Sequence, residues 1–372
     1  MTNYIDRHAT LNNCFSLGKN CNISDKYIEI DFFDFTSKSI VEKENQLLQS
    51  TDISIAENYS FKYPIFTPKG RKKSDKAILL LHGLNERSWN KYLTWAEYLC
   101  ENTGHPVILF PIAYHINRGP TEWSNPRMLS NSLNNRKEKY VGDRSISFAN
   151  VALSDRLSEH PSRFYLSGRQ TLFDVVQLIE EIKEGNHSTF KEGTDINIFA
   201  YSIGAFLSQV ALMSNHKNLF SSSRLFMFCG GSVFSSMFGV SRSILDKASF
   251  MKLRQYYIHI FGNEALPIWK RDNIFSAFRK MITPDKYQKE RVDIFSNLYD
   301  RIKGVALSKD VVIPFTGVQE AMGREYTEAS VSLMDFPFQY SHENPFPHNE
   351  KDTNSLNSAF NNVFSAATSF LI

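Results

Sequence analysis

The chain has 372 residues, enough for one large domain with insertions or for two domains. Its 42% hydrophobic and 22% charged residues are those of a globular protein, and 30 Phe with 16 Tyr point to a large aromatic core or an apolar pocket. A net charge of +3, with no basic run longer than Arg71, Lys72 and Lys73, gives no reason to expect a nucleic-acid partner.

Residues 1–26 are polar and aperiodic and read as an arm packed on the main body. Asp6 and Arg7 interrupt the apolar core a secretory signal would need, and no stretch reaches 18 apolar residues, so no integral membrane segment is expected and cytoplasmic residence is the default. Four cysteines fit that default: Cys100 and Cys229 lie in apolar runs, and Cys14 and Cys21, though close enough to pair, are expected to remain thiols. With no CxxC pair and no HExxH, neither a metal nor a cofactor is expected.

Tyr27 to Phe35 and Tyr59 to Phe66 read as a leading antiparallel strand pair, and Lys69 to Asp75 as a solvated turn. Ala77 to Leu81 is an uninterrupted apolar run, as for a strand buried on both faces, and ends in His82 and Gly83. There Gly83 suits a turn, and His82 suits a hydrogen-bonded support for the loop better than a base. Tyr92, Leu93, Trp95, Ala96, Leu99 and Cys100 recur at three and four, a helix closing near Gly104, and Val107 to Phe110 is the next strand. Strand, helix and strand with short joints make the unit of a doubly wound, mostly parallel sheet. Residues 115–168, polar and carrying Pro120, Pro126 and Pro161, read as an insertion at the rim of a site. Thr171 then caps a helix through Ile182.

The segment Asp195 to Gln209, DINIFAYSIGAFLSQ, reads as strand, sharp turn and helix with Ser202 at the turn. A side chain lifted onto a strained corner needs small neighbours two positions away, and Ala200 and Gly204 supply them. AYSIG, the single match to small-x-Ser-x-Gly in the chain, resembles the nucleophile elbow of the α/β-hydrolase superfamily in an Ala-first form. The rest also looks like a group of bacterial α/β-hydrolase-like proteins of unassigned activity, over roughly residues 60–372 apart from the insertions.

That resemblance implies one catalytic domain over residues 1–372, with an α/β-hydrolase fold and a helical cap insertion. It makes Ser202 the nucleophile and the backbone NH groups of Ile203 and Leu84 the oxyanion donors, with Leu84 reached through the His82-Gly83-Leu84 turn and Gly204 supporting the elbow. Leu225 to Phe228 is a further buried strand, but CGGS follows it, so the acid must come later. Residues 233–303 break the rhythm with Phe and Met clusters, Tyr256, Tyr257, Trp269 and two expected helices, where the superfamily commonly carries its cap; the segment is basic, with 13 Lys or Arg against 7 Asp or Glu from Arg242 to Lys303. Gly304 to Leu307 resumes the sheet, and SKDVVIP matches the superfamily's acid turn at Asp310, 108 residues after Ser202. Val331 to Phe336 is the last strand, and His342, 32 residues after Asp310, takes the place of the family's histidine; His348 is a reserve base and Asp335 a poor reserve acid. Leu356 to Ala367 closes the chain as an amphipathic helix.

The implied chemistry is acyl transfer to water, on a carboxylic ester or thioester before a peptide, with a small-molecule acyl substrate. The alternatives are a binding protein that keeps the fold with a silent site, or an interfacial lipase, which only the aromatic and basic content of residues 233–303 favours. Acyl length, leaving group and oligomeric state stay open.

Overall fold

The computed structural model describes residues 3–38, 50–70, 73–264 and 272–372; Arg71, Lys72 and Trp269 lie outside them. Nine strands among these residues form one sheet in the order β1-β2-β3-β5-β4-β6-β7-β8-β9. They are β1 (Cys21–Ile23), β2 (Ile28–Thr36), β3 (Ser60–Pro68), β4 (Ser74–Leu81), β5 (Val107–Leu109), β6 (Phe190–Tyr201), β7 (Leu225–Phe228), β8 (Ile302–Leu307) and β9 (Val331–Met334). The first three strands are antiparallel neighbours, β3 is antiparallel to β5, and every pair from β5 through β9 is parallel. This is the α/β-hydrolase fold, with the strand order reversing where β5 and β4 exchange places.

The central strands are apolar on both faces because both faces are covered. Leu79, Leu81, Ile198 and Ala200 enter one core, while Ile78, Leu80, Phe199 and Tyr201 enter the other, the period-two alternation of a strand. The second core is strongly aromatic. In it Trp95, on helix α2 (Asn90–Thr103), meets the rings of Phe199, Tyr201, Phe228 and Phe346 edge-on. Helix α2 ends as its residues require: Gly104 takes φ 66° and returns its NH to the Cys100 carbonyl.

Several expectations are corrected. The arm is not aperiodic in structure: helix α1 (Tyr4–Cys14) buries Tyr4 and Leu11 one heptad apart, and Arg7 is ion-paired with the buried Glu97 of α2. Cys14 and Cys21 are joined in a disulfide that closes the turn between α1 and β1, so cysteine usage no longer points to a reducing compartment. Cys100 and Cys229 are buried thiols.

Residues 115–168 hold helices α3 (Pro126–Lys139) and α4 (Val151–Glu159). Helix α5 runs Arg163–Lys183, starting eight residues before Thr171, whose hydroxyl bonds the Ser167 carbonyl inside the helix. Its first two turns bury Tyr165 and Leu166 among polar, paired residues that break the apolar pattern: Arg163 with Asp52 at 2.8 Å, Arg169 with Asp272 at 2.5 Å. After helix α6 (Ile203–Ser214), the described residues of 233–303 carry three helices of eight residues or more where two were expected: α7 (Lys247–Gln255), α8 (Asn273–Lys280) and α9 (Gln288–Asn297). The two long insertions are tied together. Arg136 of α3 forks onto the Asp246 carboxylate, which also caps α7 by accepting the Ser249 NH at 2.8 Å. The final helix of the chain spans Thr353–Leu371. No helix of the described residues is long and apolar enough to cross a membrane.

One buried ion pair anchors the loop after β5 to α5. Arg118, fully buried, donates to Asp174 at 2.6 Å and to the carbonyls of Asn58 and Pro111, and stacks on Phe61. Asp174 accepts Ser37 with its other oxygen. With these partners the pair is tolerated, although Arg118 Nε is buried without an acceptor among the described residues; removing one member strands a charge. Arg118→Met is therefore expected to lower unfolding free energy by about 3–5 kcal/mol, read as a lower urea midpoint at unchanged slope; a midpoint within error of the parent would contradict this.

Candidate active site

Ser202 sits at the carboxyl end of β6 with φ 56° and ψ −121°, a conformation essentially restricted to glycine. The fold holds it there by close approach on two sides. A Cβ on Gly204 would come within 2.5 Å of the Leu81 carbonyl oxygen, and one on Gly230 within 2.5 Å of the Ala205 Cβ. Both positions accept only hydrogen, so α6 can lie tight against β4 and the loop after β7. Ala200 needs no such exemption. It is still in the strand, between Leu81 and Met227, and its methyl enters the core.

His342 and Asp310 arrive from the ends of β9 and β8. Ser202 Oγ lies 2.7 Å from His342 Nε2, and His342 Nδ1 lies 2.7 Å from Asp310 Oδ2. All three side chains are buried. Asp310 Oδ1 accepts the NH groups of Val312 at 2.9 Å and Ile313 at 2.8 Å, which fixes the carboxylate plane. With the carboxylate facing Nδ1, that nitrogen carries the proton, and Nε2 is left to accept from the serine hydroxyl. Tyr201 locks the imidazole further: its ring stacks on His342 with centroids 5.4 Å apart, and its hydroxyl donates to the His342 carbonyl. The reserve residues lie elsewhere. His348 stacks on His8, and Asp335 is exposed and paired with Lys309 at 3.0 Å.

The loop after β4 faces the same serine. A Cβ on Gly83 would meet the Ser202 Cβ at 3.4 Å and the Tyr201 ring at 3.2 Å. The Gly83 NH donates to the Tyr92 hydroxyl at 2.9 Å, which donates to Glu86 at 2.8 Å, so α2 sets the loop's path. His82 staples it from below: Nε2 accepts the Ile112 NH at 2.9 Å and Nδ1–H donates to the Gly83 carbonyl at 2.8 Å. The amides of Leu84 and Ile203 have no intrachain hydrogen bond among the described residues. Also among those residues, no group of three or more His, Cys, Asp or Glu side chains is placed to hold a metal ion.

Two spaces meet at Leu84. One is an open cleft lined by Ser202, His342, Glu86, Lys91, Ser243 and Glu343. The other is a more enclosed, mostly apolar cavity whose walls include Leu84, Ile203, Phe206 and Leu207, together with Leu153 and Leu157 of α4 and Ile274 and Phe278 of α8. Both insertions thus contribute walls beside Ser202. Tyr201, Tyr92 and Gly230 were not singled out from sequence. Tyr201 stands in the elbow pentapeptide and Tyr92 on the buried face of α2, where a hydroxyl on an otherwise apolar face is the available signal.

The histidines under the loop are held neutral. Burial pushes His82 well below its ordinary range and His115, whose Nδ1–H donates to the Ala113 carbonyl, from 6.5 down to about 4. Because the folded-state value is depressed, the unfolded chain binds the proton first as pH falls. This contribution to stability is complete above pH 6.5 and is lost between 6.5 and about 4. His115→Gln is expected to flatten the fall in urea-unfolding free energy over that window by up to about 1.4 kcal/mol per pH unit. Parallel curves for parent and variant would contradict it.

Among solved structures the chain is similar in outline to several esterases at low identity. A bacterial heroin esterase matches at 10% identity and TM-score 0.49, over 99% of this chain and 90% of that one. A thermostable esterase from Pseudomonas putida matches at 12% and 0.46, over 99% and 90%, and a carboxyl esterase of the mycorrhizal fungus Tuber melanosporum at 9% and 0.44, over 100% and 98%. No curated protein matches the sequence. The model of one protein family, described as a family of unknown function (DUF6051), matches residues 39–372, and the chain belongs to that family.

Proposed function

We propose that the protein is a serine hydrolase that cleaves a carboxylic ester or thioester through an acyl-enzyme. The observation that carries this reading is the continuous hydrogen-bonded line from Ser202 Oγ through both nitrogens of His342 to Asp310, starting at a residue in a glycine-like conformation. A free serine hydroxyl is a weak nucleophile at neutral pH, and strain at Ser202 of about 1–3 kcal/mol is a cost that folding alone does not require.

In this mechanism His342 Nε2 takes the Ser202 proton as Oγ bonds to the substrate carbonyl carbon. Asp310 holds the imidazole in the Nδ1–H tautomer and offsets the charge that develops on it. The NH groups of Leu84 and Ile203 donate to the tetrahedral oxyanion; Ile203 opens α6, where the helix dipole adds favourable potential. Collapse breaks the bond to the leaving alcohol or thiol, which takes the proton from His342. Water then attacks the acyl-enzyme by the same steps and releases the acid and free Ser202. No cofactor or metal enters the scheme.

Ser202→Ala should abolish hydrolysis of an activated ester, and Asp310→Asn should lower kcat by up to about 10⁴-fold with the circular-dichroism spectrum unchanged. Steady-state assays of the purified variants decide this. Retention of parental turnover by Ser202→Ala would remove the proposal, and a normal rate for Asp310→Asn would remove the acid from it.

A further inference from the structure

We infer that the enclosed cavity beside Ser202 is the acyl-chain site and the open cleft the leaving-group site, so that the preferred substrate carries an apolar, uncharged acyl chain on a polar alcohol or thiol. This inference rests on Ser202 being the nucleophile. It follows from which side of Ser202 each space occupies. His342, which must hand a proton to the leaving group, lines the open cleft and not the enclosed cavity. Ile203, whose amide faces the oxyanion, lines the enclosed cavity and not the cleft, and Leu84 stands between them. A carbonyl carbon bonded to Oγ with its oxygen toward the Leu84 and Ile203 amides therefore sends its acyl substituent into the cavity.

The chemistry of the two walls agrees with that division. The cavity is bounded near Ser202 by Leu84, Ile203, Phe206 and Leu207, and Ile274 and Phe278 cover it. Three arginines reach its border, yet each is paired locally: Arg156 and Arg163 share Asp52, Arg163 also pairs with Glu159 at 2.6 Å, and Arg169 pairs with Asp272. A carboxylate or phosphate entering would have to break one of these pairs, so the occupant is uncharged. The cleft instead presents Glu86, Lys91, Ser243 and Glu343 to water. The cavity volume is about 60 Å³.

The test is a series of p-nitrophenyl esters from acetate to dodecanoate, assayed with the parent enzyme, Ser202→Ala, Gly168→Leu and Gly168→Ala. Gly168 lines the cavity on α5, and a Cβ there would meet Leu207 Cδ1 at 3.6 Å, an ordinary contact, so that a longer side chain extends into the space. The parent's kcat/KM should rise about two- to fourfold per methylene over the shorter esters, reach an optimum where the cavity is filled, and fall beyond it. Gly168→Leu should move the optimum to shorter chains and reduce the octanoate-to-acetate ratio at least tenfold, with Gly168→Ala between it and the parent. A flat profile with turnover that still requires Ser202 would overturn the cavity assignment and leave the nucleophile standing, as would equal losses on all esters in both Gly168 variants. Absence of Ser202-dependent turnover on every ester would overturn both.

Discussion

The structure turns on the contact between Gly204 and the end of β4. No side chain fits where α6 presses on the Leu81 and His82 carbonyls. That approach leaves Ser202 no room to relax from its positive φ, and it also brings the loop carrying Gly83 and Leu84 to the serine. Strain at one residue, an open helix amino terminus and a neighbouring free amide are therefore consequences of one packing event. The surrounding shell is rigid where the geometry matters: Tyr92 and His82 hold the loop, and Tyr201 and the Val312 and Ile313 amides hold the imidazole and carboxylate.

The two insertions act as one wall because they are joined by a buried charge. The Asp246 carboxylate accepts from both the guanidinium of Arg136, which also pairs with Asp155 at 2.8 Å, and the Ser249 NH at the amino end of α7, so removing it would loosen both segments together. A second set of pairs, Asp52 with Arg156 and Arg163, closes the far border of the enclosed cavity. Charge is spent there on fixing the shape of an apolar space, not on attracting ions, even though residues 242–303 carry a basic excess.

How much of this was legible in the residues depends on what each element buries. The parallel strands were readable because both faces are apolar, and Leu225 to Phe228 coincides with β7. Ser202, Asp310 and His342 were nameable because each follows a recognisable strand in the order this fold uses. The start of α5 and the helix of the arm were not, since paired polar groups such as Arg163, Arg169 and Arg7 with Glu97 share their inward faces with a few apolar residues and interrupt the hydrophobic pattern. The Cys14 to Cys21 disulfide was missed because it depends on α1 and β1 meeting at a turn, and the arm had been read without either element. Tyr201 and Tyr92 were hidden for a related reason: a tyrosine on an apolar face looks like packing until its hydroxyl finds a partner.

In the proposed mechanism Ser202 is a nucleophile activated in place by His342. Treating the intact protein with a fluorophosphonate and mapping the adduct by peptide mass spectrometry tests it directly. A single phosphonyl group on Ser202 is expected, with labelling that is lost on denaturation before treatment and strongly slowed in His342→Ala. An adduct on a different residue, or none on the folded protein, would contradict it.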